Sequence, residues 1–298
     1  MTELPLVTVG IPTYNRPNGL RNTLQCITSQ SYPHLEIIIS DNFSIDPQVK
    51  EILRQYSSQD TRIQYFIQKE NISIVPNFQF LLDKASGQYF MWAADDDAWD
   101  KDFIKTTVTA MEQNPEIVLC MTGLNFFYEN QERTPSKLNR GFMQNNLFLR
   151  SFQFVKSHSD NKYFFCGLYR TNKIKDIPFN NNWGGDHLFI YEALTKGKFY
   201  YCADYVGFNY FRGGSSKGME SVRKAFNIKS RYYFFDAYLL RYTTYQFRFK
   251  HLSLAMKIGL FFTNWLGLIC SEEFILYYIF IKKPIKTFFK KIKRVLNR

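Results

Sequence analysis

Three carboxylates in succession, Asp95, Asp96 and Asp97, follow the apolar run formed by residues 89–94. Like charges at that spacing repel one another. A divalent cation with hard oxygen ligands would relieve the repulsion, and Mg²⁺ or Mn²⁺ holding a phosphate suits such an open site. Taken alone, the triplet reads equally well as a solvated turn capping a helix at Asp100 or Asp102. The residues that precede it separate the two readings.

Four short β-rich apolar runs occupy residues 6–11, 35–40, 62–67 and 88–93. Between them apolar residues recur at helical spacing: Leu20, Leu24 and Ile27, then Val49, Ile52, Leu53 and Tyr56, then Phe78, Leu81, Leu82 and Ala85. Strands alternating with helices of this length predict an α/β protein with parallel strands and right-handed crossovers. Ligands in such sheets bind beyond the carboxyl ends of the strands. Polar residues stand at each of those ends: Thr13-Tyr14-Asn15-Arg16, Asp41-Asn42, Asn71, and the three aspartates. No Gly-x-Gly-x-x-Gly follows the first strand and no Gly-Lys-Ser/Thr loop occurs, which weighs against dinucleotide and P-loop sites. Phosphates would then be handled by a metal.

The run from Val7 to Arg16, the segment from Gln30 to Ser44, Asn71 and Asn77, the stretch from Ala85 to Phe90 and the triplet resemble family 2 glycosyltransferases in order and spacing over residues 6–103. A looser likeness continues to about residue 215. The resemblance implies the GT-A fold, a Rossmann-like mixed sheet flanked by helices. It makes residues 1–215 the transferase domain, with about 1–115 binding a nucleotide sugar and 116–215 the acceptor. Residues 216–298 are read as a helical, membrane-associating extension.

Carried over residue by residue, the resemblance implies that Pro12, Thr13 and Tyr14 line the nucleotide pocket, with packing in a turn as the other reading for Tyr14. Arg16 would approach a phosphate, or be a surface charge at a helix start. Asp41 would accept a hydrogen bond from a base imide, which favours a uracil or thymine donor, or form an Asx turn. Asn71 and Asn77 would touch the donor or serve as turn and cap residues. Asp95 is expected on the ribose and Asp96 or Asp97 on the metal. Two departures are visible: Ala94 stands where many members carry an acid, and Ser73 replaces a common glycine.

In the second half, Trp183-Gly184-Gly185-Asp186-His187 opens a stretch expected to be amphipathic. The family places an Asp at such a helix start as catalytic base, which makes Asp186 the candidate; the other reading is an N-cap. His187 is expected on the helix surface or behind the site. Arg212 and Lys217, in a Gly-rich loop, would steady the leaving diphosphate or belong to a solvated basic loop. That loop lacks the family's frequent histidine.

Charge bounds the partners. Residues 1–215 carry 21 Lys and Arg against 22 Asp and Glu, whereas residues 216–298 carry 17 against 4. A basic tail on a neutral body excludes a generally basic nucleic-acid enzyme and points to an anionic surface. Residues 284–296 place Ile285, Phe288, Phe289, Ile292, Val295 and Leu296 on one helical face and basic residues on the other, as at an anionic membrane; docking on the protein's own core is the alternative. Residues 258–281 are long enough to span a bilayer, but Glu272 and Glu273 interrupt them, so an interfacial or protein-packed hairpin is expected. The five scattered cysteines show no zinc spacing, and no signal peptide precedes the first strand. A reduced cytosolic catalytic part, peripheral to the cytoplasmic face of a membrane, follows as the expectation.

The leading reading is a metal-dependent inverting glycosyltransferase acting on a saccharide or lipid-linked acceptor, with a homo-oligomer left open. A sugar nucleotidyltransferase is the second reading, though Pro12-Thr13-Tyr14-Asn15 replaces its usual glycine-rich, lysine-containing loop. A non-enzymatic membrane-associated binding protein is the third.

Overall fold

The computed structural model describes residues 3–127, 134–135, 141–157, 162–179, 184–211 and 243–271. Strand β1 (Val7–Thr13) is buried along its whole length. It is flanked in parallel by β2 (Leu35–Asp41) and β4 (Tyr89–Trp92), and β3 (Ile63–Ile67) extends the sheet beyond β2. Strands covered on both faces read as continuous apolar runs, which is how β1, β2 and β4 stand in the sequence. Helices α1 (Pro17–Thr28), α2 (Pro47–Gln59) and α3 (Ile74–Lys84) supply the crossovers. Proline opens α1 and α2, and Asp46 caps α2 by accepting from the Gln48 amide at 3.0 Å.

The sheet turns mixed past β4. Strand β5 (Ala98–Trp99) and helix α4 (Phe103–Gln113) follow the triplet, then the long β6 (Ile117–Phe127). Two short strands, β7 (Thr134–Pro135) and β8 (Gly141–Phe142), pair with β6 and with the last strand. Helix α5 (Leu147–Lys156), β9 (Leu168–Arg170), the single turn α6 (Thr171–Ile174), α7 (Gly185–Lys196) and β10 (Lys198–Phe211) complete the pattern. Among the described residues the strand order is β3-β2-β1-β4-β9-β6-β10-β5. Strand β9 runs antiparallel between β4 and β6, and so joins the two halves.

Helix α8 (Leu254–Ile269) packs on α5, and the Asn264 amide donates to the Tyr191 hydroxyl on α7 at 2.9 Å. This part of residues 216–298 therefore packs on elements of residues 116–215. Among the described residues no helix is long and apolar enough to cross a membrane. The basic segment 284–296, both glutamates at 272–273, Arg212 and Lys217 lie outside the described residues.

Candidate active site

The loops after β1, β2 and β3 and the triplet after β4 meet at one edge of the sheet. Their backbones are unusual there: Asn15, Phe43 and Ser73 all have positive φ, at 53°, 68° and 73°. Non-glycine residues seldom adopt this region, and such strain clusters where surrounding bonds enforce it. Asn15 is held by its side chain, which accepts from the Ile45 and Asp46 amides at 2.9 and 3.2 Å. Ser73 combines φ 73° with ψ 170°, a region that only glycine tolerates freely. The serine departure noted in the sequence thus sits on a glycine-type backbone. Ser73→Gly is expected to raise the unfolding free energy by about 1 kcal/mol, measurable as an upward shift of the urea midpoint; an unchanged or lower midpoint would show that the strain is not stored there.

Asn71 and Asn77 hold these loops together. Asn42 donates to the Asn71 side chain at 3.1 Å and to the Ser73 carbonyl at 3.2 Å. Ser40 donates to Asn77 at 2.6 Å, and Asn77 returns a bond to the Ser40 carbonyl at 3.1 Å. Both asparagines therefore already bond to neighbouring protein groups. Asp41 is fully buried; one oxygen accepts from the Ser44 amide at 3.0 Å, while Oδ2 has no protein partner. The Asx-type turn and a spare acceptor coexist on the same side chain. Pro12 and Thr13 are buried and Tyr14 is exposed.

The triplet is fixed from below by α1. Thr23 donates to the Ala94 carbonyl at 3.1 Å, and a Cβ on Gly19 would stand 1.9 Å from the Asp95 carbonyl, so only glycine permits this approach. Thr13 donates to Asp95 Oδ2 at 2.8 Å. Arg16 bridges Asp95 Oδ1 at 3.0 Å and Asp96 Oδ2 at 2.9 Å through one guanidinium nitrogen. Burial works to lower the Arg16 pKa, but Asp95 and Asp96 more than offset it and the net shift is upward. Burial pushes the Asp95 carboxyl up to about 6, even with Arg16 and Thr13 pulling the other way. Asp97 is raised well above the ordinary carboxylate range by burial, then by Asp96 and Asp95. Its counterweights are slight: the Phe211 amide donates to Oδ1 at 3.2 Å and the Cys166 thiol to Oδ2 at 3.9 Å.

Three carboxylates share one guanidinium here, and two of them, Asp95 and Asp97, are buried. That donor set fits a hard divalent cation taking one or two carboxylates and completing its shell with phosphate oxygens. Among the described residues no three Asp, Glu, His or Cys side chains converge as a cage, so the fit is to an open site that needs a phosphate partner.

On α7, Asp186 is near enough to Cys166 for its charge to raise that thiol's pKa. The helix is capped by Gly184 in the left-handed conformation (φ 81°), so Asp186 lies inside the first turn and is not the N-cap. The expected amphipathic pattern is absent: residues 187–195 are all buried, His187 included, and Asp186 is half-buried. A helix sunk in the core holds its first turn rigidly. Trp92, three residues before Asp95, packs edge-on to Phe189, three after Asp186, with ring centroids 5.2 Å apart. Trp92 also stacks on Phe165 at 4.6 Å. The Cys166 thiol donates to Asp97: burial raises its pKa first, then the charges of Asp97, Asp96 and Asp186. Cys166 and the Phe211 amide have no motif around them, and sequence reasoning passed them over. An open depression lined by Pro47, Lys50, Glu51, Arg54, Gln55 and Ser58 lies on the outer side of α2, on none of the elements that build this edge.

Comparison with known proteins bears on the fold and the family. The chain is 35% identical over 107 residues to the putative teichuronic acid biosynthesis glycosyltransferase TuaG of Bacillus subtilis, covering 36% of this chain and 42% of that protein. It is 23% identical over 200 residues to the GalNAc(5)-diNAcBac-PP-undecaprenol beta-1,3-glucosyltransferase of Campylobacter jejuni, covering 66% and 62%. Both matches span less than two thirds of the relative's own length. Among solved structures, S. aureus TarS 1–349 in complex with UDP-GlcNAc superimposes with a TM-score of 0.63 at 16% identity, covering 88% of this chain and 72% of that one. At that identity the likeness establishes the fold, which is GT-A. The glycosyl transferase family 2 model matches residues 8–177, more than half of the chain, and the protein belongs to that family.

Proposed function

We propose that the protein is an inverting glycosyltransferase that moves a sugar from a nucleoside diphosphate donor to a saccharide or lipid-linked saccharide in surface polysaccharide synthesis. The observation that carries this reading is the triplet, with Asp95 and Asp97 buried, together with Cys166, whose thiol feels the charges of Asp97, Asp96 and Asp186. The spare Oδ2 of Asp41 suits the imide N–H of uracil or thymine, and UDP- or dTDP-type donors are favoured. Thr13, Arg16 and Asp95 then lie where ribose and phosphate would follow, with Pro12 and Tyr14 beside them. The names of the relatives and the UDP-GlcNAc complex of the structural neighbour support the donor class and an acceptor carried on a lipid diphosphate.

In this mechanism Asp186 takes the proton of the acceptor hydroxyl as its oxygen bonds the anomeric carbon. The bond from that carbon to the diphosphate oxygen breaks, and the configuration inverts in a single displacement. Arg16 is within reach of the diphosphate, and Arg212 and Lys217 add positive charge for the leaving group. Asp96 and Asp97 would hold Mg²⁺ or Mn²⁺, which when bound supplies charge neutralisation at the diphosphate. The basic sequence of residues 284–296 suits the anionic, cytoplasmic face of a membrane, where a lipid-linked acceptor would be found.

A thermal-shift series with UDP, dTDP, GDP and their sugars, each with Mn²⁺ and with chelator, tests the donor site. Stabilisation by one nucleotide only in the presence of metal is the expected result, on the order of 3 kcal/mol at a hundredfold excess over Kd. Failure of every nucleotide to shift the transition, together with no hydrolysis of any nucleotide sugar, would overturn the reading.

A further inference from the structure

We infer that the outward face of α8 is a docking surface for an anionic lipid bilayer, with the helix lying in the plane of the headgroups. Six apolar side chains on this helix, Leu254, Ile258, Phe262, Trp265, Leu266 and Ile269, are 37–66% exposed. At 3.6 residues per turn they fall within an arc of about 120°. The opposite side is spoken for: Leu260, Asn264, Gly267 and Leu268 are buried, the helix packs on α5, and Asn264 is hydrogen-bonded to Tyr191. A contiguous exposed apolar stripe of this kind on a folded protein marks a contact surface.

Charge selects the occupant. Residues 243–271 contain Arg248, Lys250 and Lys257 and no Asp or Glu. Arg248 and Lys250 are exposed, next to the exposed Phe247, at the start of the stripe. The sequence beyond the helix, residues 272–298, adds eight Lys and Arg against Glu272 and Glu273. Two copies paired through this face would set cations against cations with no acid on the segment to answer them. A bilayer with anionic headgroups answers both features, taking the apolar side chains below the headgroups and the cations among them. A tryptophan within the stripe is the side chain best suited to that boundary. The helix has 16 residues and one side fixed on protein, so it is too short to span and lies flat. This surface is separate from the proposed donor site.

The test uses the full chain, without donor or acceptor, sedimented with vesicles of phosphatidylcholine or of phosphatidylcholine mixed with phosphatidylglycerol. Its result is therefore independent of glycosyl transfer. Binding is expected only to the anionic vesicles, with a blue shift of tryptophan emission as Trp265 leaves water. Phe262→Ser/Leu266→Ser should weaken partitioning by at least ~10-fold, since losing two buried apolar side chains exceeds the energy of one decade, and should leave the melting temperature unchanged. Arg248→Glu/Lys250→Glu should weaken it comparably and most at low salt. Full vesicle binding by the Phe262→Ser/Leu266→Ser protein would overturn the inference by placing the contact elsewhere. Equal binding to neutral vesicles would overturn it too, as would a vesicle-indifferent dimer that the same substitutions dissociate.

Discussion

Asp186→Asn is expected to lower the rate of sugar transfer, or of slow donor hydrolysis in its place, by about 10²–10⁴-fold. The amide keeps the size and nearly the shape of the carboxylate but accepts no proton from an incoming hydroxyl. Folding should tolerate the change. The cap is Gly184, the helix is held by its buried residues, and Asp186 is only half-buried. The loss of a negative charge in the first helical turn costs about 0.3–1 kcal/mol. Nucleotide binding should change by no more than about twofold, because the triplet and Asp41 stand on other elements. Rate and binding measured on the same preparation therefore separate a proton acceptor from a structural residue. A variant that transfers at the parental rate would remove Asp186 from the chemistry. A variant that loses rate and nucleotide affinity together would make it part of the donor pocket.

Asp97→Asn is expected to do two opposite things: stabilise the metal-free protein near neutral pH and abolish metal-dependent nucleotide binding. The sign follows from proton counting. Asp95 and Asp97 both have folded pKa values raised above their ordinary ones, chiefly by burial. The folded state then holds protons that the unfolded chain has released, so stability is fullest at low pH and falls as pH rises. For Asp95 the window runs from the ordinary 3.8 to about 6; for Asp97 the shift has the same sign and the same chief cause, burial. The metal-free parent should melt at a lower temperature at pH 7.5 than at pH 5. Asparagine at position 97 removes a buried ionisable group, still accepts from the Phe211 amide, and should raise the melting temperature of the metal-free protein at pH 7.5. The same variant should show no additional shift when Mn²⁺ is added with a nucleotide. A less stable Asp97→Asn protein at pH 7.5 without metal would mean that the carboxylate is a net structural asset, and the argument for a cation-demanding site would fall.

The half of the fold that the chain states locally was legible in it. Strands β1, β2 and β4 are apolar runs buried on both faces, β3 is a half-covered strand at the sheet's end, and α1 to α3 carry one apolar stripe each. Topology then brings their carboxyl ends, and the polar residues on them, to one edge. The rest depends on pairings between segments distant in sequence. The placing of β9 between β4 and β6 rests on three residues with no periodicity to read. The immersion of α7 was misread for a related reason: Leu188, Ile190, Tyr191 and Leu194 suggest a stripe, whereas Phe189, Glu192 and Thr195 are buried as well because α5 and β6 close around the helix. The triplet was visible as charge, but not the Arg16 bridge across Asp95 and Asp96. Nor did any local signal mark Cys166, an isolated thiol until the fold sets it beside Asp97.

The bond from the Phe211 amide to Asp97 has a practical use. Strand β10 ends at Phe211, and this bond joins its last residue to a carboxylate 114 positions earlier in the chain. A change of partner at Asp97 would take this acceptor from the last amide of the strand. A small fluorophore there would serve as a local gauge of that carboxylate, reading its engagement directly and without waiting for a reaction to turn over.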